Sequence, residues 1–317
     1  MAICTLTLNP TLDIHMQFDT PTLGTLNRAR AVRYAPSGKG YNVSSALYEQ
    51  GLSSTAIMPL GGPIGYLMEF MLSQAGIPTH IIKVQGETRA NTKVIDPNGI
   101  LTEWNGVGAK LSEQELEACL DPIRQLTQQD TLILSGSLPP GVSSSIYAQM
   151  IEIAKSKQAT AILDASGQAL ELGIAAKPSM LKPNLLEARE LLNLPIKTYG
   201  EALQAAKTIQ NQGIPMVILS LEDKGALFLS GAEVCLAIPP KITVLTPSGA
   251  GDSMLAGTLY GLSQHWSWYK IAQHSTATAT ARVGSSAVIF PNVARITEQF
   301  DKVTLVKEED IPFDMPL

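Results

Sequence analysis

Charge is scarce in this chain. Of its 317 residues only 16% are Asp, Glu, Lys or Arg, and the formal balance is −5. A general nucleic-acid binder needs a basic surface, so that class is excluded and no nucleic-acid partner is expected. Cysteine is scarcer still: Cys4, Cys119 and Cys235 lie far apart and form no CxxC pair. They read as small buried hydrophobes of a reducing compartment, not as a disulfide framework. The four histidines, His15, His80, His265 and His274, show no HExxH-like spacing, which removes a zinc site. No G-x-S-x-G occurs, so a hydrolase nucleophile elbow has no support. The uncharged stretch from Ser253 to Tyr269 carries Gly, Ser, Gln and His and does not read as a membrane span. The opening MAICTLTLNP has no basic segment leading into an apolar one, so no leader peptide is expected. A cytoplasmic protein without membrane association is the expectation.

What is present is a hydrophobic content of 45%, in a chain long enough for a large α/β domain with a small appendage. Short β-branched runs alternate with helical patterns. Strands are expected at Ile3–Leu8, Thr55–Leu60, 131–135, 160–164, 179–183 and 216–220. Helices are expected at Asn42–Gln50, Tyr66–Gln74, 144–156, Asn184–Leu192 and 200–212, with Gly51, Gly76 and Gly213 as stops. Such alternation predicts a mostly parallel sheet with helices on both faces. Two stretches break it, 13–34 and 80–105. They are strand-like without helices, and Asp96-Pro97-Asn98-Gly99 reads as a hairpin turn. Together they predict one small antiparallel sheet beside the main sheet.

Ligands of open α/β sheets bind outside the carboxyl ends of the strands. Asn9, Pro10 and Asp13, the Ser135–Gly141 run, Asp164, Lys182-Pro183-Asn184 and Ser220 all follow expected strands. Two glycine loops enter helices. APSGKGYNVSSAL (35–47) is neither a Walker A loop nor a dinucleotide fingerprint, because the required glycines are missing. TPSGAGDSM (246–254) sets three small residues before Asp252. One reading is a turn capped by an Asp. The other is a helix N-terminus whose N–H groups receive an anion, with Asp252 as base for a hydroxyl beside it.

The two loops stand in order, with SGSLPPG, LDASG and LKPNLLE between them. This arrangement resembles the ribokinase (PfkB) family of sugar kinases over about Ile3 to Val293. TLNPTLD, the pattern Gly24-x-x-Asn27-Arg28, and TRANTKV resemble its hexose-phosphate branch of 1-phosphofructokinases, tagatose-6-phosphate kinases and minor 6-phosphofructokinases. The resemblance implies a ribokinase-like three-layer α/β/α sandwich in a single domain over 1–317. Its small sheet (13–34 and 80–105) would be a lid that joins two subunits in a homodimer. It also implies ATP- and Mg²⁺-dependent phosphate transfer to a sugar hydroxyl. By position, Asp252 is then the base, and Gly249, Ala250 and Gly251 form the anion hole. Asp13 holds sugar hydroxyls, Gly38 and Asn42 belong to the sugar loop, and Ser137 lines the pocket. Arg89 takes the substrate phosphate, with Lys39 and Arg28 as further candidates. Lys182, Asn184, Ser220, Gly225 and Ser248 match nucleotide contacts, and Asn184 with Glu187 forms the metal-associated N-x-x-E. The segment 284–292 matches no family pattern, so adenine contacts there are unassigned. Fructose 1-phosphate stands first among substrates, giving fructose 1,6-bisphosphate. Fructose 6-phosphate and tagatose 6-phosphate stay open, because fructofuranose is nearly pseudo-symmetric. A non-catalytic sugar-phosphate sensor is the alternative from another class.

Overall fold

The computed structural model describes residues 2–96, 100–286 and 288–317. The elements run β1 (Ile3–Leu6), β2 (Thr11–Gln17), β3 (Ala31–Ser37), α1 (Lys39–Tyr48), β4 (Thr55–Leu60), α2 (Gly62–Gln74), β5 (Thr79–Lys83) and β6 (Arg89–Ile95). Next come β7 (Leu101–Asn105), α3 (Glu113–Arg124), β8 (Thr131–Ser135), α4 (Ile146–Ser156), β9 (Thr160–Asp164), α5 (Gly167–Ala175) and β10 (Met180–Leu181). Then follow α6 (Leu185–Leu192), α7 (Tyr199–Gln210), β11 (Met216–Ser220), β12 (Ala226–Ser230) and β13 (Glu233–Ile238). The last are α8 (Ala250–Ser263), α9 (Trp268–Val283), α10 (Val293–Phe300) and β14 (Thr304–Lys307).

Ten strands form the large sheet, in the order β14-β13-β12-β11-β10-β9-β8-β1-β4-β5. It is parallel from β5 through β11 and antiparallel from β11 to β14. Strand side chains alternate between faces. Leu132, Leu134, Leu163, Leu181 and Leu219 therefore pack with α3 to α7, while Ile133, Ile162, Met180 and Ile218 pack with α1, α8, α9 and α10. The result is the expected three-layer α/β/α sandwich.

The second sheet has the order β3-β2-β6-β7 and is mixed, not the expected antiparallel sheet: β2 and β6 run parallel, because the chain between them passes through β3, α1, β4, α2 and β5, and the outer pairs are antiparallel. Its expected boundary at residue 80 is corrected, because Thr79–Lys83 pairs parallel with β4 in the large sheet. The physical reason is α2: a helix between two strands is a crossover, and crossovers return to the parent sheet. No helix separates β5 from β6, which is why the sequence grouped them. The Asp96–Gly99 turn falls on 97–99, outside the described residues, although β6 and β7 do pair around it.

Candidate functional site

The rim at the carboxyl ends of the parallel strands follows from register. Ser135 pairs with Asp164 across β8 and β9, and the Lys182 N–H bonds the Leu163 carbonyl. Each of Ser135, Asp164 and Lys182 directly follows a leucine facing α3–α7. Alternation therefore turns all three toward the opposite face. There the N-termini of α1 and α8 bring Lys39 and Asp252.

Asp164 is the hub. It is buried, and Lys182 Nζ lies 3.3 Å and Lys39 Nζ 3.5 Å from its Oδ1, while the Ser135 hydroxyl donates to Oδ2 at 3.2 Å. Burial pushes the Asp164 pKa up, but Lys182 and Lys39 outweigh burial and hold it below its ordinary value. Asp164 in turn raises the Lys39 pKa against the effect of burial. Two cations are thus fixed at the rim by one carboxylate that sequence reading had not assigned a role.

Asp252 is 6% exposed and sits in the third position of α8. It is not the helix cap: the N-cap is Gly249, with φ 82°, and no side chain caps the helix. Instead Asn42 Nδ2 donates to Asp252 Oδ2 at 2.8 Å. Burial raises the Asp252 pKa, with Lys39 and Asn42 opposing. A carboxyl poised upward, beside an uncapped helix N-terminus, suits a general base next to an anion. The capped-turn reading of TPSGAGDSM does not survive this geometry. Two glycines of the loop sit close to the cations: a Cβ at Gly249 would stand 3.0 Å from Arg282 Nε, and one at Gly251 would stand 3.1 Å from Lys182 Nζ.

The small sheet adds a second polar group. Asp13 is buried and pairs with Lys93 Nζ at 2.8 Å through Oδ2, while its Oδ1 has no hydrogen-bond partner. Lys93 also donates to the Ser248 hydroxyl at 3.1 Å and lies 3.4 Å from Glu103 Oε1. It ties the small sheet to the loop ahead of Asp252. Asp13, Asn42, Lys93, Ser248 and Gly249 line one cavity of ≈ 440 Å³.

Other expected residues have a structural task in view. A Cβ at Gly38 would come within 2.4 Å of the Thr7 side chain, so this glycine is demanded by packing on the end of β1. Gly225, with φ 103°, faces the Ala237 carbonyl so closely that a Cβ would stand at 2.2 Å. Asn184 and Glu187 form a capping box on α6: Asn184 Oδ1 accepts from the Glu187 N–H and Glu187 Oε2 from the Asn184 N–H, both at 2.8 Å. The side-chain oxygen of Asn184 is therefore spent on the helix, which leaves Glu187 as the metal candidate of that motif. Arg89 donates to the backbone carbonyls of Asn9 at 2.9 Å and Gly106 at 3.2 Å, and its Nε has no partner. Ser220 bridges to Asn184 beside the rim. Ser137 is an exposed residue beside the Asn9 amide. Arg28 is exposed on the loop between β2 and β3 and makes none of the contacts that join the rim residues. Among the described residues no group of three or more His, Cys, Asp or Glu side chains could hold a metal, and no helix is long and apolar enough to cross a membrane.

Two fixed lysines, a buried carboxylate and an open helix N-terminus at the strand ends of an α/β sandwich define a phosphoryl-transfer type of site. The comparisons agree. The chain belongs to the pfkB family of carbohydrate kinases, whose pattern matches residues 6–295. It is a sugar phosphotransferase, and the non-catalytic sensor reading falls. It is 35% identical to the 1-phosphofructokinase of Bacillus subtilis (strain 168), over 83% of this chain and 86% of that protein. It is 31% identical to the 1-phosphofructokinase of Escherichia coli (strain K12), over 98% and 99% of the two chains. Among solved structures it is similar to phosphofructokinase-2 from Escherichia coli in complex with fructose-6-phosphate, with a TM-score of 0.89 and 28% identity over 95% and 98% of the chains. A tetrameric inhibited form of that neighbour is also similar, with a TM-score of 0.88 and 28% identity over the same shares.

Proposed function

We propose that this kinase transfers the terminal phosphoryl group of ATP to the 6-hydroxyl of fructose 1-phosphate, giving fructose 1,6-bisphosphate. The observation that carries the reaction is Asp252, buried, bonded by Asn42 and set at the uncapped start of α8. In this reading Asp252 takes the hydroxyl proton, and the N–H groups of Gly249, Ala250 and Gly251 receive the migrating phosphoryl group. Asp13 offers the unpartnered Oδ1 to sugar hydroxyls, with Gly38, Asn42 and Ser137 around the ring. Arg89, already anchored on two carbonyls, turns its remaining N–H groups to the sugar phosphate, with Lys39 and Arg28 as further cations. Lys182, Asn184, Ser220, Gly225 and Ser248 line the nucleotide side. The relatives named 1-phosphofructokinase support the choice of sugar.

The donor set fits Mg²⁺ held mainly by water and phosphates, since Glu187 offers one carboxylate oxygen outside the capping box. When bound, the ion would supply positive charge to the phosphates, with Glu187 the residue that would help hold it. The small sheet serves as a lid and as the contact of a homodimer in a cytoplasmic enzyme.

The test is kcat/KM for fructose 1-phosphate, fructose 6-phosphate and tagatose 6-phosphate, each with ATP. Fructose 1-phosphate is expected to lead by at least about tenfold, within what differential transition-state binding supplies. A higher value for either of the others overturns the choice of sugar.

A further inference from the structure

A buried arginine is costly unless its charge is bonded and used. Arg282, in the last turn of α9, is 3% exposed. Its Nη1 donates to the carbonyls of Ser286 at 3.0 Å and Ile289 at 3.3 Å, and its guanidinium lies 4.7 Å from the Phe290 ring centroid. On its other side is Gly249, where a Cβ would stand 3.0 Å from Nε and 3.5 Å from Nη2. The Asp252 charge raises the Arg282 pKa, and Arg282 lines the ≈ 440 Å³ cavity with Asp13, Lys93 and Ser248. Burial lowers its pKa to about 10, so the side chain is still charged at neutral pH.

The turn that opens α8 is thus wedged against a cation. Gly249 needs its left-handed φ of 82°, and a side chain there would press on the guanidinium. The same guanidinium grips Ser286, Ile289 and Phe290. A positive charge under that turn adds to the helix dipole at the point where phosphoryl charge would gather.

We propose that Arg282 is a positioning residue for phosphoryl transfer, a fixed internal cation that locks the Gly249–Gly251 turn to the segment carrying Ser286, Ile289 and Phe290. The proposal rests on the kinase reading above and adds a residue that lies outside both glycine loops and the N-x-x-E motif. A neutral side chain of equal volume would fill the space, but it would supply neither the charge nor the two bonds to carbonyls.

The experiment begins with the wild-type protein and whichever hexose phosphate it accepts. Arg282→Ala is expected to lose about a hundredfold in kcat with little change in sugar KM, the scale set by small misplacements of reacting groups. Millimolar guanidinium chloride is expected to restore part of the loss. Urea, a neutral molecule of the same shape, is expected to restore none. Arg282→Lys covers the case in which the alanine variant does not fold, and it is expected to stay within about tenfold of wild-type kcat because the charge remains. Arg282→Ala with kcat within about threefold of wild type, equal rescue by urea, or a folded Arg282→Lys more than about a hundredfold down overturns the proposal. A wild type inactive on every hexose phosphate overturns the substrate reading instead, which is a separate result.

Discussion

Asp252 is a carboxyl held in a place that disfavours its charge. Burial raises its pKa, and Lys39 and the Asn42 amide only partly offset this. Because the folded-state value is raised, the group's contribution to stability is fully present below the ordinary carboxyl range and is lost as pH rises through the folded value. Asparagine keeps the size and carries no charge. Asp252→Asn is therefore expected to be at least as stable as wild type at neutral pH, with its advantage shrinking toward about pH 4, where an ordinary Asp carboxyl is half protonated. Turnover is expected to fall about 10²–10⁴-fold, mainly in kcat, because a general base is gone. Melting curves at the two pH values and steady-state kinetics check both halves. A folded variant retaining more than about a tenth of wild-type kcat would remove Asp252 as the base.

At the scale of elements, α6 shows how one local motif can serve two purposes. The N-x-x-E of Asn184 and Glu187 is a capping box in the structure and a metal motif by resemblance. Glutamine at the third position can keep the box, whereas alanine cannot. Glu187→Ala is expected to cost roughly 1 kcal/mol of stability through the lost hydrogen bond from the Asn184 N–H, while the Asn184 cap itself remains. Glu187→Gln is expected to leave stability unchanged or slightly raised, since burial already pushes the Glu187 pKa up, yet to raise the Mg²⁺ needed for half-maximal activity. Equal Mg²⁺ curves for Glu187→Gln and wild type would leave the motif purely structural. Rim residues such as Asp164 and Lys182 were legible in the sequence because apolar strand runs end at them. The glycine loops were legible as helix entries. Lys93 and Arg282 were not, because a single charged residue inside a strand or helix pattern carries no local sign of burial. Only tertiary contacts put Lys93 beside Asp13 and Arg282 beside Gly249. Gly38, placed in the sugar loop by resemblance, is held close by Thr7 of the same chain, a packing demand that the sequence did not show. The edge strand β5 was misplaced for a similar reason: its partner, β4, lies beyond a helix that a local reading takes as a break.

For the whole molecule, the small sheet has one face on the rim and one face turned away from it. Alternation puts Asp13, His15 and Lys93 on the face toward the rim, where they are buried. It puts Ile14 beside Tyr34 and Thr92, and Thr92 beside Trp104, on the opposite face. Tyr34 is 52% exposed and Trp104 48%. Leu23 and Leu26, on the loop joining β2 to β3, are exposed as well. Two exposed aromatic residues flanking Ile14 and Thr92 on an open sheet face suit a contact with a second copy, since a two-fold interface is self-complementary. We expect a homodimer built on these faces. Sedimentation across micromolar concentrations is expected to show a dimer for the wild type and a monomer for the double variant Tyr34→Glu, Trp104→Glu, because four carboxylates would then meet at the two-fold contact. Tyr34 also lines the ≈ 440 Å³ cavity that holds Asp13 and Lys93, so Trp104→Glu alone serves as the control that leaves this cavity unchanged. A higher sugar KM with nearly unchanged kcat in the monomer would show that the dimer steadies the lid for substrate binding and not for the chemical step. A wild type that sediments as a monomer with full activity would remove the interface and leave Tyr34 and Trp104 to another partner.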